Sequence, residues 1–119
     1  MSATQFRVNE KTTARYTAQL VDETGAGIPA ASLATLTLTL YDVATSGIIN
    51  SRSAQNVLNV NGVTVDTSGN LVWTMDPLDN AVIGSRELEA HVALFEYTYG
   101  SKGGKHEVSL LVANLQKVT

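Results

Sequence analysis

The 119-residue chain contains no cysteine. That excludes disulfide staples and any thiolate metal site. Small secreted domains usually depend on such bridges, so their absence favours a cytosolic origin or a viral particle. The chain also lacks an excess of positive charge. Its eight Lys and Arg are outnumbered by eleven Asp and Glu, with both signs spread along the sequence, a net charge of −3 and a pI near 5.2. Nothing in it resembles the basic stripe that counterion release on nucleic acid requires. Long apolar runs are missing as well: none approaches the ~20 residues that a bilayer-spanning helix needs. The opening Met1-Ser2-Ala3-Thr4 has neither the charged nor the apolar region of a secretory signal. No nucleic acid, no membrane and no signal-directed secretion is therefore expected.

What is present has period two. Ala14, Tyr16, Ala18 and Leu20 alternate with Arg15, Thr17 and Gln19; Leu36, Leu38 and Leu40 alternate with Thr35, Thr37 and Thr39; Leu71, Trp73 and Met75 alternate with Asn70, Val72 and Thr74. Such alternation places apolar side chains on one face of a pleated strand and polar ones on the other. The threonine-rich faces suit strands, where β-branched side chains pack well. Strands are predicted over 4–9, 13–22, 34–43, 47–50, 57–66, 70–76, 86–99 and 105–116. Turn chemistry separates them: Glu23-Thr24-Gly25-Ala26-Gly27, Thr45-Ser46-Gly47, Asn61-Gly62, Thr67-Ser68-Gly69-Asn70 and Ser101-Lys102-Gly103-Gly104. Asn61-Gly62 is the strongest hairpin signal, because both central residues of a type I′ turn need φ > 0. Asp76-Pro77-Leu78-Asp79 reads as one capped helical turn, and 52–56 as irregular loop. Seven or eight short strands without long helices indicate one all-β domain over 1–119, a sandwich or small barrel. At this length roughly two-thirds of the extended chain's surface is buried on folding, enough for one core.

Chemistry-bearing residues are sparse. His91 and His106 lie on the two strands flanking the 100–104 turn. Folding that hairpin places His106 opposite Thr98 or Tyr99, about seven residues along the strand from His91. At ~3.3 Å per residue the two are then more than roughly 20 Å apart and share no ion; both read as half-exposed strand histidines. Asp76 and Asp79 fall short of the six to eight oxygens that calcium wants. Glu87 and Glu89 flank Leu88 and read as a solvated strand face rather than a general acid–base pair. No Gly-x-Ser-x-Gly elbow occurs. Gly100-Ser101-Lys102-Gly103-Gly104-Lys105 joins two strands and does not meet the phosphate-loop pattern. The expectation is a non-enzymatic protein with no catalytic residue, metal or cofactor.

The last hairpin is apolar on both faces. Leu88, Ala90, Val92 and Leu94 lie on one side of its first strand, and Ala93, Phe95, Tyr97 and Tyr99 on the other. The returning strand carries Val108, Leu110 and Val112 against Leu111, Ala113 and Leu115. A two-residue turn at Lys102-Gly103 sets Phe95 opposite Leu110 and Tyr97 opposite Val108; a loop one residue longer sets Leu94 opposite Leu110 instead. Only one face enters the core of a two-layer sandwich, and the other is left as a patch of the kind that marks a contact surface. The candidate protein-interaction residues are Leu94, Phe95, Tyr97, Tyr99, Leu111 and Leu115. Their cover is either another protein chain or the chain's own segment 44–60.

The whole chain resembles small proteins from the structural gene modules of tailed bacteriophages. The resemblance lies in Thr17-Ala18-Gln19-Leu20-Val21-Asp22, Gly27-Ile28-Pro29, Leu36-Thr37-Leu38-Thr39-Leu40-Tyr41-Asp42 and Gly69-Asn70-Leu71-Val72-Trp73-Thr74-Met75. It continues through Asp79, Glu89-Ala90-His91-Val92-Ala93-Leu94-Phe95-Glu96-Tyr97-Thr98 and Val112-Ala113-Asn114-Leu115. The layout is similar to the immunoglobulin-like domains of phage decoration, neck and baseplate proteins. The resemblance implies an immunoglobulin-like β-sandwich of antiparallel strands. It implies a virion component, made in the bacterial host, that docks on other virion proteins in multiple symmetric copies. The alternative is a carbohydrate- or receptor-binding module on the virion surface, with Tyr97, Tyr99 and Trp73 as the aromatic donors.

Overall fold

The computed structural model describes residues 4–83 and 87–113. The alternating segments form eight strands: β1 (Thr4–Asn9), β2 (Arg15–Gln19), β3 (Thr35–Asp42), β4 (Gln55–Asn56), β5 (Val63–Val65), β6 (Asn70–Thr74), β7 (Leu88–Tyr99) and β8 (Lys102–Ala113). Two short 3-10 turns, Ala30–Ser32 and Pro77–Asn80, complete the elements among the described residues. A five-stranded sheet runs β1-β8-β7-β3-β4, and a three-stranded sheet runs β2-β6-β5. In this order β2, β3, β5, β6, β7 and β8 take the places of strands B, C, D, E, F and G of the immunoglobulin fold, with β4 as C′. The molecule is an immunoglobulin-like β-sandwich.

Alternation decides what fills the space between the sheets. Leu36, Leu38 and Leu40 from β3, Phe95 from β7 and Val108, Leu110 and Val112 from β8 are fully enclosed. They meet Leu71 and Trp73 of β6 and Tyr16 of β2. The Trp73 ring stands edge-on to Phe95 with centroids 5.6 Å apart, a favourable aromatic geometry at the centre of the core.

Three expectations change at this level. The strands are not all antiparallel: β1 pairs β8 in parallel, Phe6 beside Leu110 and Val8 beside Val112. Parallel neighbours need a long crossover, and here that crossover is nearly the whole domain. Segment 47–50 contributes one bridge, Ile48 to Tyr41, rather than a strand, and the strand expected over 57–66 shrinks to β5. Asn61 and Gly62 do adopt positive φ (56° and 92°), and Val63 donates to the Val60 carbonyl at 3.2 Å. That tight turn leads from a loop into β5, so its local chemistry is as expected while its hairpin is not.

The third change is the register of β7 and β8. The turn is Gly100-Ser101, two residues earlier than expected, with Gly100 in the left-handed region (φ 61°). Phe95 therefore faces His106, Tyr97 faces Gly104 and Leu94 faces Glu107. Moving the turn by two residues preserves which side chains share a face. Gly104 takes part in the packing: a Cβ there would sit 2.6 Å from the Tyr97 Cζ, so the ring lies across the bare glycine.

Candidate functional site

Parity along β7 and β8 separates the expected interaction residues. Phe95 and Tyr97 point into the core, at 0% and 7% exposure. Tyr99 shares their side, half-buried, its ring stacked on Tyr97 at 6.2 Å and its hydroxyl donating to Glu23. Leu94 and Leu111 lie on the opposite, outward side and are half-buried; Leu115 is outside the described residues. The outward side continues through Tyr41, Val92, Ala90 and Leu88. Four large aliphatics gather toward its far end: Val43 (51% exposed), Ile83 (45%), Ile48 (44%) and Leu88 (42%). Ile48 bridges Tyr41, and Ile83 reaches the backbone at Gly47. Segment 44–60 does not lie over this face. It runs along the edge of β3, where Ile49 and Val57 donate to Leu40 and Leu36 and bury their own side chains.

The inward side of the same strands carries an unexpected polar group. Asp42, Glu89 and His91 are all at 0% exposure, with one ligand atom from each within 4.8 Å of the others. The expected solvated Glu89 and half-exposed His91 are thus corrected. The β3–β7 register sets Asp42 beside His91, and both lie on the parity of Leu40 and Ala93. Glu87 alone is exposed. Glu89 accepts from the Ile83 N–H and is hydrogen-bonded to His91 Nε2, both at 2.9 Å. His91 Nδ1 has no hydrogen-bond partner. Asp42 accepts from the Thr45 N–H and hydroxyl at 3.0 and 2.8 Å and lies 3.6 Å from His91 Nε2. Two carboxylates and an imidazole have the donor types for a divalent ion. In this geometry their atoms serve one another and the neighbouring backbone, tying the β3 end and the 79–83 segment to β7.

His106 stands apart from this group. It is four residues from the position opposite His91, about 13 Å along the strand rather than more than 20 Å. Its Nε2 lies 2.6 Å from the Tyr16 hydroxyl, across the gap between the sheets. Burial pushes the His106 pKa below its ordinary 6.5 and the Tyr16 pKa above its ordinary 10.0. Both shifts favour the neutral forms, a phenol hydrogen-bonded to an imidazole.

A second polar hub lies at the end of the sandwich, on a residue expected to be loop. Arg52 is 4% exposed. Its Nε and Nη2 reach the two oxygens of buried Asp79 at 2.5 and 3.0 Å, while Nη1 and Nη2 donate to Gln55 Oε1 and the Asn61 carbonyl. Asp79 also accepts from Asn50 and, as expected for the capped turn, from the Asp76 N–H at 2.8 Å. Around this pair the chain takes left-handed conformations at Asn50, Ser51, Ala54, Asn59 and Asn61, five non-glycine residues within twelve. Each costs of order 1 kcal/mol and persists only where the surroundings enforce it. Arg52 lines an open polar cleft of about 460 Å³, together with Asn50, Gln55, Asn61, Thr13, Thr74 and Asp76. Trp73, by contrast, is fully enclosed and offers no exposed aromatic platform.

No protein-family model matches the chain, and no curated protein matches it. Among solved structures it is similar to an endo-β-1,4-mannanase from Thermotoga petrophila, at 13% identity and a TM-score of 0.51, over 95% of this chain. The chain spans 18% of that enzyme's length, so the likeness is one of fold to a part of it. It is also similar to a chimeric titin Z1Z2 carrying a peptide from decorin, at 16% identity and a TM-score of 0.42, over 94% of this chain and 89% of that one.

Proposed function

We propose that the protein is a non-enzymatic structural module that docks on other protein chains through the outward side of its five-stranded sheet, as a virion component of a tailed bacteriophage. The observation that carries the docking reading is the clustering of Val43, Ile48, Ile83 and Leu88 beside Ala90, Val92 and Leu111, all on or next to one face. Apolar side chains scattered singly over a surface are ordinary, whereas a contiguous group of this size marks a contact site. The flanking Leu94 and Tyr41 are half-buried and extend the patch without adding charge. The virion setting is supported by the full-length sequence resemblance to phage structural proteins and by a fold that needs no disulfide.

The test is assembly. Leu111→Glu places a charge in the patch without touching the core. Particles from the source phage are expected to incorporate the wild-type protein in repeating copies, and the folded variant is expected to be left out. A protein that is absent from purified particles, or a variant that is incorporated as well as wild type, overturns the reading.

A further inference from the structure

The cleft on Arg52 is lined by none of the docking-face side chains. We propose that it binds a neutral saccharide, gripped through adjacent hydroxyls by the amides of Asn50, Gln55 and Asn61. The charge distribution selects against other ligands. Arg52, the one cation on its floor, is neutralised by both oxygens of Asp79, and the rim's formal charge is the Asp76 carboxylate. An anion meets that carboxylate with no cation left to offset it. A metal cation finds one rim carboxylate where six to eight oxygens are needed.

Three primary amides and the hydroxyls of Thr13 and Thr74 border the space; Asn50 Nδ2 donates to Asp79, Asn61 Nδ2 to the Asn56 carbonyl and Gln55 Oε1 accepts from Arg52, which leaves the Asn50 and Asn61 oxygens and the Gln55 N–H groups for a ligand. The remaining amide oxygens accept and the remaining N–H groups donate, and a hydroxyl serves as either. Vicinal sugar hydroxyls have the same paired character. A peptide would need an apolar pocket or a strand edge for affinity, and the cleft's apolar member, Met75, is 1% exposed. The border is also pre-set: Arg52 clamps Gln55 and the Asn61 carbonyl from below, and Asn50 and Asn61 are held at positive φ. Little ordering is left to be done on binding. Without an aromatic ring to stack on the sugar, each site holds its ligand weakly, on the order of millimolar, so useful attachment comes from many copies acting together.

The experiment displays the protein as a streptavidin-linked tetramer on an array of immobilised neutral oligosaccharides. Binding to a subset of glycans is expected. It should fall at least about tenfold in Asn61→Gly and in Asn50→Gly, which remove an amide while keeping a residue that accepts positive φ. Leu111→Glu, on the docking face, should leave it unchanged. Amide shifts in labelled protein titrated with the bound glycan should map to 50–62 and 74–76. Absence of signal across the array overturns the proposal, as does binding that survives both glycine variants or shifts that map to β7 and β8.

Discussion

The two faces of the β7–β8 hairpin carry almost the same kind of side chain and meet different fates. On the inward face Ala93, Phe95, Val108, Leu110 and Val112 are fully enclosed. On the outward face Val92 is buried, Leu94 and Leu111 are half-buried, and Leu88 and Ala90 are exposed. Composition does not separate the two sets. What separates them is the second sheet, which covers one side only. Apolar area on the inward face stabilises the fold, and apolar area on the outward face is available for a partner. The contrast predicts that truncating the inward set unfolds the protein, while altering the outward set changes only what it binds.

Phe95→Ala tests the inward side most severely. It removes the ring that packs edge-on to Trp73 and should cost about 3–5 kcal/mol, read as a lowered midpoint in urea. Arg52→Met should fall in the same range, because it leaves the fully enclosed Asp79 charge without its cation. If denaturation shows a loss below about 1 kcal/mol, that end of the sandwich is more solvated than its geometry implies. Gly104→Val sharpens the comparison within a single strand. The added side chain collides with the Tyr97 ring and should cost roughly 1–3 kcal/mol, whereas Gly103→Val, one residue along on the other face, should be far milder.

A smaller effect comes from the pair that joins the inward faces of both sheets. Burial lowers the His106 pKa in the folded state, so the unfolded chain takes up its proton first as pH falls. Stability from this site is therefore complete above about pH 6.5 and declines as pH drops from 6.5 through the lowered folded value. Thermal unfolding from pH 8 to 5 should show that decline in the wild type. His106→Gln should flatten it over this window, and an equal slope in the variant would assign the pH dependence to other groups.

Parity made much of this legible in the sequence, and the same rule reaches further than residue polarity suggests. Once Phe95 is placed inward, Glu89 and His91 must follow, because both lie at even spacings from it. Once Leu36, Leu38 and Leu40 face the core, so does Asp42. Polar character argued the opposite, and the strand period prevailed because the three side chains satisfy one another. The register of the hairpin was less accessible, since Gly100, Gly103 and Gly104 all permit a turn and only the packing of Tyr97 across Gly104 discriminates among them. Arg52 gave no periodic signal. It lies in a loop whose shape is fixed by contacts with Asp79, twenty-seven residues away, and such pairing is not written in local spacing. The parallel position of β1 was equally hidden, because nothing local joins Thr4–Asn9 to the last strand.

The smallest expected effect on the fold is the sharpest test of the contrast. Leu111 is half-buried on the outward side, opposite Ala90 on β7 and Arg7 on β1. A glutamate there keeps the strand, stays solvated and gains a cationic neighbour across the ladder. Its stability should remain within about 0.5 kcal/mol of wild type, the range of ordinary surface substitutions. The matched change on the inward side, Leu110→Glu, buries an unpaired carboxylate in the core and should prevent folding. Chemical denaturation of the two neighbouring variants thus compares the faces at one residue's distance. If Leu111→Glu destabilises the isolated protein by several kcal/mol, the outward patch belongs to the fold's own core. It would then be no contact surface.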